Sequence, residues 1–216
     1  MRSRAYVLAH HSTCIGTEKL DAKKAFSDCV FTDESTVQID CSTKFCYVKN
    51  GNHNPRLRSR AKHPAKLHIW GGISARGRTH LAILPGHVRI NSRIYCNIIE
   101  RCLLPFIRKV HNGFAQIVQD NAPAHTSRFT VEKFREWGLS SVEWPPESPD
   151  LNPIELVWGR MKTAIRSQRI RNLSDLKTAI KRNWNTLSPE LCARYIGGIR
   201  KRMMLICEQN GGNIVE

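Results

Sequence analysis

The sequence predicts an α/β protein, a mixed sheet flanked by helices. Strand-like segments come first along the chain and then alternate with segments of helical periodicity, which is the element order of this class. With 216 residues, of which 41% are hydrophobic, the chain is long enough to bury about 70% of the surface of its unfolded state. A charged fraction of 24% is that of an ordinary globular protein rather than a disordered one.

The predicted strands are short apolar or alternating runs that end at turn-forming residues. Cys29–Thr32 is a buried run that ends at Asp33, and the segment after it alternates between apolar and polar residues. The strand Lys66–Ile73 is expected to stop at its glycine pair, and a Pro-Gly turn ends the strand that follows. In chain order, the predicted strands are Cys29–Thr32, Thr36–Cys41, Phe45–Val48, Lys66–Ile73, His80–Leu84, Ala115–Gln119 and Ser141–Glu143.

Helical periodicity dominates the second half of the chain. Asn91–Val110 carries apolar residues on overlapping turns, although Pro105 is expected to bend or shorten this helix. Ser127–Trp137 is amphipathic, and Gly138 follows it as a C-cap. A long helix is expected from about Pro153. Its apolar stripe consists of Ile154, Trp158, Met161 and Ile165. Two further helices are predicted, over 173–186 and 189–208.

The charge balance indicates a polyanionic partner. The chain has 34 Lys and Arg against 18 Asp and Glu, a formal net charge of +16. Such a positive field attracts nucleic acid first of all, and the alternatives are an anionic membrane or a contribution to solubility alone. There is no apolar run of transmembrane length, and no signal peptide is expected, because the first residues lack a long apolar stretch. The eight cysteines form no CxxC pair, which favours reduced thiols in a cytosolic or nuclear protein.

A strongly basic segment without any acid spans residues 44–66. Gly51, Pro55 and Pro64 interrupt regular structure there, so a loop or open hairpin is expected. A run of charge is often only a solvated surface, but we favour contact with DNA phosphates. The seven candidate DNA-binding residues are Lys44, Lys49, Arg56, Arg58, Arg60, Lys62 and Lys66.

Three acids, Asp33, Asp120 and Glu155, follow predicted strands or begin a predicted helix. In α/β sheets such positions bring side chains together at one edge. Carboxylates gathered in one place repel each other unless divalent cations neutralise them. Two Mg²⁺ ions about 4 Å apart serve phosphodiester chemistry by activating the attacking oxygen and stabilising the leaving one.

Each acid also has a structural interpretation. Asp33 and Asp120 are ordinary turn formers, and Asn121 is a good cap. Glu155 has the strongest structural alternative, because Asn152 as N-cap and Pro153 at the first helical position would make it the glutamate of a capping box.

Four sequence blocks resemble the signature blocks of Tc/mariner DDE transposases, in the Tc-one-like branch. They are FTDES, HIWGGIS followed by Gly77, VQDNAPAHTS and WPPESPDLNPIELVW. They occur in the family's order, and the 34 residues between Asp120 and Glu155 are the spacing of this branch. The resemblance covers about residues 26–208 and is more specific than the resemblance to retroelement integrases, which share the fold.

The resemblance implies an RNase H-like fold with a basic loop or hairpin insertion. It implies that the first acid lies on the first strand, the second after the fourth strand, and the third on a helix. Asp33, Asp120 and Glu155 would then be the catalytic residues and the ligands of two Mg²⁺ or Mn²⁺ ions. The enzyme would cut a phosphodiester at the transposon end, and the freed 3′-hydroxyl would attack target DNA without a covalent enzyme intermediate.

Residues 1–25 match the family weakly and are expected to be an N-terminal remnant or linker, with the catalytic domain over 26–208 and a C-terminal tail over 209–216. The family carries helix-turn-helix modules before the catalytic domain, so a truncated transposase is expected. The alternative is a non-catalytic, DNA-binding remnant or a domesticated copy. The expected partners are transposon-end and target DNA and a second copy in a homodimer, with no membrane and no small-molecule cofactor, in the nucleus.

Two polar residues near Asp120 are candidates for support of the site. Asn121 could contact metal-bound water or a DNA phosphate, and His125 could act as a general acid or base. A histidine at the entry of a helix is more often structural.

Overall fold

The structure is a computed structural model that describes residues 26–39, 64–142, 144 and 148–208. It confirms the mixed sheet flanked by helices. The strands are β1 (Cys29–Gln38), β2 (Lys66–Ser74), β3 (Gly77–Arg78), β4 (Ala82–Pro85), β5 (Gln116–Val118) and β6 (Ser140–Ser141). The α-helices are α1 (Ser92–Ile98), α2 (Leu104–Val110), α3 (Pro123–Thr126), α4 (Arg128–Glu136), α5 (Pro153–Arg166), α6 (Leu173–Asn185), α7 (Pro189–Gly197) and α8 (Ile199–Glu208). None of the helices in this part of the chain is long and apolar enough to cross a membrane.

Strand β1 is the centre of the sheet. It pairs antiparallel with β2, from Phe31 opposite Ile73 to Gln38 opposite Lys66. On its other side it pairs parallel with β5, which in turn pairs parallel with β6. Both β3 and β4 lie on the far edge of β2. The order across the sheet places the end of β5, and therefore Asp120, next to the strand that carries Asp33.

Two hydrophobic cores cover the two faces of the sheet, as the alternation of side chains along a strand requires. Phe31 belongs to the core that contains helices α5, α6 and α7, whereas its neighbour Val30 belongs to the core formed with α1 and α4. The apolar stripe predicted for α5 is confirmed, because Ile154, Trp158, Met161 and Ile165 are all buried in the first core.

Asp33 lies within a strand, not at the end of one. We expected two strands, Cys29–Thr32 and Thr36–Cys41, separated at Asp33, but β1 runs unbroken through it. That prediction was wrong because the local turn preference of Asp-Glu-Ser is weaker than a ladder of paired residues with β2 that continues past it on both sides. The predicted strand Phe45–Val48 and the end of Thr36–Cys41 lie outside the described residues.

Strand β2 continues through its glycine pair to Ser74, so the expectation that this pair would stop the strand was also wrong. Gly71 lies beneath Trp158 and Trp184, whose rings are stacked with centroids 5.4 Å apart. A Cβ atom at Gly71 would lie 2.6 Å from Trp184. The glycine therefore makes room for an aromatic pair that packs beside Asp33, which is opposite Gly71 in the ladder.

The other predicted elements are found with shifted bounds. The strand expected at His80–Leu84 is β4, at Ala82–Pro85, and the short strand β3 precedes it. Of Ser141–Glu143, only Ser141 lies in a strand within the described residues. The strand predicted at Ala115–Gln119 is β5, and the helices predicted at Ser127–Trp137 and 173–186 are α4 and α6.

Two helices that the sequence predicts as continuous are interrupted at a proline or a glycine. Asn91–Val110 is helical almost throughout, but a π-helical segment, Ile99–Leu103, separates α1 from α2 just before Pro105. Proline has no N–H to donate, so the change in hydrogen-bonding pattern at this point is expected. The helix predicted over 189–208 is broken at Gly198 into α7 and α8, which agrees with the low helix propensity of the glycine pair there.

Candidate active site

Asp33 is held on the face of the sheet that packs against α5. Its Oδ2 accepts a hydrogen bond of 3.0 Å from Nε1 of Trp158, one turn along α5 from Glu155. Burial raises the pKa of Asp33 from 3.8 to about 8, with further contributions from the negative charges of Glu155 and Glu34. The hydrogen bonds from the Glu34 backbone and from Trp158 oppose this rise. Without a cation, Asp33 therefore retains a proton at neutral pH.

Glu155 sits in the first turn of α5, near Asp33. Asn152 is the N-cap, and its Oδ1 accepts from the N–H of Ile154 at 3.4 Å. Its amide Nδ2 also donates to the carbonyl of Thr32 at 3.4 Å, which ties the start of α5 to β1 beside Asp33. The backbone N–H of Asn152, which a capping-box glutamate would bind, donates instead to Pro149 at 3.0 Å. The geometry thus gives Glu155 no support as a capping residue.

Asp120 lies in the loop that follows β5 and is 64% exposed. The loop places it at the edge of the sheet, where β5 ends beside β1. Its Oδ1 accepts from the N–H of Ala122 at 3.0 Å and contacts Nδ1 of His125 at 2.7 Å. The hydrogen bond from His125 is the main reason that the pKa of Asp120 is lowered, and the Ala122 hydrogen bond adds to it, against the opposing effect of burial. Asp120 is therefore ionised where Asp33 is not.

His125 connects Asp120 to a fourth acid, Glu34, that the sequence analysis did not single out. Its side chain is only 4% exposed, and its Nε2 lies 3.1 Å from Oε1 of Glu34. The ring packs against Tyr95, with centroids 4.2 Å apart. Burial lowers the pKa of His125, but the hydrogen bonds to Asp120 and Glu34 outweigh it and raise the pKa to about 10. The imidazole is thus a cation between two carboxylates.

Asp33 and Asp120 line the same cavity, which has a volume of about 540 Å³. Asp33, Glu34, Asp120 and His125 all line it. Glu155 is not among its lining residues and acts on Asp33 through its charge. Within the described ranges, no three His, Cys, Asp or Glu side chains are arranged so that they could hold a metal ion. The structure therefore brings two of the predicted acids to one cavity and leaves the third beside Asp33.

The donor chemistry fits a divalent cation. A partly buried carboxyl beside other carboxylates is stabilised by a proton or by a cation, which is why the pKa of Asp33 is raised. Carboxylate oxygens are the ligands that Mg²⁺ takes in proteins. Asp33, Asp120 and Glu155 are the residues that would hold it.

The other candidate residues are exposed or lie outside the described residues. Asn121 is exposed beside Asp120. Lys66, the first residue of β2, is exposed, whereas Lys44, Lys49, Arg56, Arg58, Arg60 and Lys62 lie outside the described residues. The local signal for Glu34 is its place directly after Asp33 in the FTDES block. Its partner His125 is 91 residues away, so the pairing itself has no local signal.

A second cavity, of about 550 Å³, lies at the β3 edge of the sheet. Its lining includes Arg76, Arg78, Lys109 and Lys181 and no carboxylate. It lacks the acids that the predicted chemistry requires, so the cavity beside Asp33 and Asp120 is the candidate active site.

Comparison with known proteins gives a match to the family of DDE superfamily endonucleases over residues 28–177. This match covers more than half of the chain. The chain belongs to the DDE superfamily. It is 25% identical over 194 residues to the Tc3 transposable-element transposase of Caenorhabditis elegans, which covers 88% of this chain and 58% of that transposase. The resemblance to Tc/mariner transposases is thereby confirmed.

Solved structures confirm the RNase H-like fold of this DDE superfamily member. The crystal structure of the mariner Mos1 paired-end complex with Mg matches with a TM-score of 0.82 at 17% identity, over 100% of this chain and 64% of that one. The catalytic domain of Mos1 mariner transposase matches with a TM-score of 0.75 at 16% identity, over 98% of this chain and 94% of that one. The chain spans less than two thirds of the length of Tc3 transposase and of the Mos1 chain in the paired-end complex.

Proposed function

We propose that this chain acts as the catalytic domain of a Tc/mariner transposase, cutting phosphodiester bonds at transposon ends and joining the freed 3′-hydroxyl to target DNA. The observation that carries the proposal is the shared cavity of Asp33 and Asp120, with Glu155 close enough to Asp33 to raise its pKa. These are the positions that match the three acids of the family. The catalytic domain would comprise residues 26–208.

Asp33, Asp120 and Glu155 would hold two divalent ions, Mg²⁺ or Mn²⁺. When bound, such ions activate an attacking oxygen and stabilise a leaving one. The protein's own contribution is to hold the side chains of these acids in position. Trp158 and the Asn152 bond to Thr32 fix Asp33 relative to α5, and Ala122 and His125 hold the ionised Asp120. The Mos1 complex that resembles this chain is described as containing Mg.

DNA, both transposon ends and target, is the proposed substrate, and the nucleus is the proposed compartment. The net charge of +16 supports this, and so does the second half of the domain, where residues 156–207 carry 12 Lys and Arg against 2 acids. The basic segment 44–66 would contact phosphates near the site. Since the related Mos1 structure is a paired-end complex, we propose that two copies act together.

The test is strand cleavage of transposon-end DNA that already carries a nick, at high protein concentration. Pre-nicked DNA is used because residues that would recognise the ends are not identified in this chain, and loss of orientation lowers the rate. We expect Asp120→Ala to abolish Mg²⁺- or Mn²⁺-dependent cleavage and to bind DNA as well as the parent chain or slightly better, since a negative charge facing phosphate is removed.

The matched control is Glu132→Ala, which removes an acid of α4 that pairs with Arg128 at 2.7 Å. It should cleave like the parent chain. Equal cleavage by the parent chain and Asp120→Ala would contradict the proposal and favour a DNA-binding remnant without chemistry. Unfolding of Asp120→Ala would show that the acid is a structural cap.

A further inference from the structure

We propose that Glu34 is a positioning residue that acts through His125 to hold the Asp120 carboxylate in place for the cation. This inference rests on the proposed function, because it takes Asp120 as a ligand. It adds a residue to the site that is neither one of the three matched acids nor a ligand itself.

Asp120 needs such support because of its position. Its side chain is 64% exposed and stands on a loop beyond the end of β5. A side chain of this kind would otherwise sample several rotamers in solvent. Within the described residues, its Oδ1 is held by one backbone N–H, that of Ala122, and by the buried ring of His125.

His125 is built as a support and not as an acid or base. Nδ1 faces Asp120, where it meets both Oδ1 at 2.7 Å and the backbone carbonyl at 3.2 Å, and Nε2 faces Glu34 at 3.1 Å. Carboxylates accept hydrogen bonds, so both nitrogens donate. With both nitrogens occupied and the side chain 4% exposed, no nitrogen is left to exchange a proton with a substrate.

Glu34 is what fixes the orientation of that ring. It follows Asp33 on β1, lines the same cavity and lies 3.1 Å from Nε2 of His125, so β1 supplies one proposed ligand and also anchors the ring that holds another. Tyr95 supports the same arrangement, because its ring packs on His125 and its hydroxyl donates to Gln119, the residue before Asp120. Residues that orient the ligands of a metal change its affinity about 10- to 100-fold when mutated.

The experiment measures the rise in Tm of the full chain as Mg²⁺ is added and takes the Mg²⁺ concentration at half of the rise. We expect Glu34→Ala to shift this midpoint upward about 10-fold or more. Glu34→Gln keeps an oxygen that accepts from Nε2, so it should return most of the way to the parent midpoint. In a His125→Ala background, Glu34→Ala should cause no further shift, because Glu34 acts only through the ring.

Four comparisons with other variants decide the outcome. Glu132→Ala removes an exposed acid that pairs with Arg128 and does not line the cavity, so it should leave the midpoint unchanged. A Glu34→Ala variant with a lower Tm in chelator but the parent midpoint would overturn the proposal, because Glu34 would then be purely structural. If Glu34→Ala does not fold, a His125→Ala variant with the parent midpoint would overturn the proposal, and a His125→Ala midpoint shifted upward about 10-fold or more would support it. If Asp120→Ala keeps the parent midpoint, the proposed function fails and this proposal fails with it.

Discussion

Asp33 and Asp120 are chemically different although both are aspartates in one cavity. Burial and the neighbouring carboxylates raise the pKa of Asp33, whereas hydrogen bonds from His125 and Ala122 lower that of Asp120. The difference follows from position. Asp33 lies inside a central strand against a helix, and Asp120 lies on an exposed loop beside a cationic imidazole. Without a cation, Asp33 is therefore protonated, whereas Asp120 is already ionised.

Asp33→Asn should stabilise the chain when no divalent cation is present. The pKa of Asp33 is raised from 3.8 to about 8, so between these values the folded state binds more protons than the unfolded state. The free energy of unfolding contributed by this group is therefore greatest below about pH 4 and falls as the pH rises to about 8. Asparagine does not titrate, so the variant does not lose this stability as the pH rises. Its amide oxygen still accepts a hydrogen bond from Trp158.

Urea unfolding in chelator at about pH 4 and about pH 8 checks this expectation. The free energy of unfolding of Asp33→Asn should exceed that of the parent chain by more than about 1 kcal/mol at the higher pH and by much less at the lower pH. Asp28→Asn is the control, since Asp28 is about half exposed and pairs with Arg76 at 2.7 Å. The expectation is wrong if Asp33→Asn and Asp28→Asn follow the same dependence on pH.

At the scale of elements, the contact between β2 and α5 positions the first acid. Gly71 lets Trp158 and Trp184 stack against the sheet, and Trp158 then donates to Asp33. The start of α5 is tied to β1 by the Asn152 bond to Thr32. The glycine pair in HIWGGIS is therefore a packing requirement of the site and does not end the strand.

Gly71→Ala should destabilise the chain by about 1–3 kcal/mol, because the added methyl overlaps the rigid ring of Trp184 and forces a shift in a packed core. Gly159→Ala is the matched control. It lies within α5 with nothing within 4 Å of a new Cβ, so it should stabilise the chain by about 0.5–1 kcal/mol. Denaturant unfolding of both variants measures the difference, and a Gly71→Ala variant as stable as Gly159→Ala would contradict the packing argument.

The elements also show where sequence reasoning succeeds. Helix α5 and its cap were predictable because Asn152, Pro153 and the apolar stripe are local signals. The unbroken β1 was not, since its ladder with β2 joins residues 28 to 42 positions apart and outweighs the turn preference of Asp-Glu-Ser. Glu34 was not predicted for the same reason, since its partner His125 is 91 residues away in the chain. The three acids were singled out by their places at the ends of predicted elements and by the resemblance of their blocks to those of Tc/mariner transposases, and their roles are proposals.

At the scale of the whole molecule, we expect the positive charge of +16 to determine how DNA would be bound. We expect affinity that falls steeply with salt and depends little on DNA sequence, because phosphate contacts dominate it. Replacing Arg56, Arg58 and Arg60 together by Ala should reduce the slope of log affinity against log salt by up to about 3, because each phosphate contact that is lost reduces it by about 1.

Fluorescence anisotropy of a labelled duplex over a salt series measures that slope. The control variant replaces Arg128 and Lys133 by Ala, since both pair with acids of their own helix. A slope that is unchanged in the triple variant would show that the basic segment is only a solvated surface.

The central claim is that Asp33, Asp120 and Glu155 together bind divalent ions. It is tested most directly by a crystal structure of the chain grown with Mn²⁺, with the ions located by their anomalous scattering. We predict Mn²⁺ at the edge of β1 and β5, bound by oxygens of Asp33 and Asp120 and approached by Glu155 from α5, at ligand distances of about 2.2 Å. Saturating Mn²⁺ that leaves this cavity empty, or that binds only at other residues, would contradict the account.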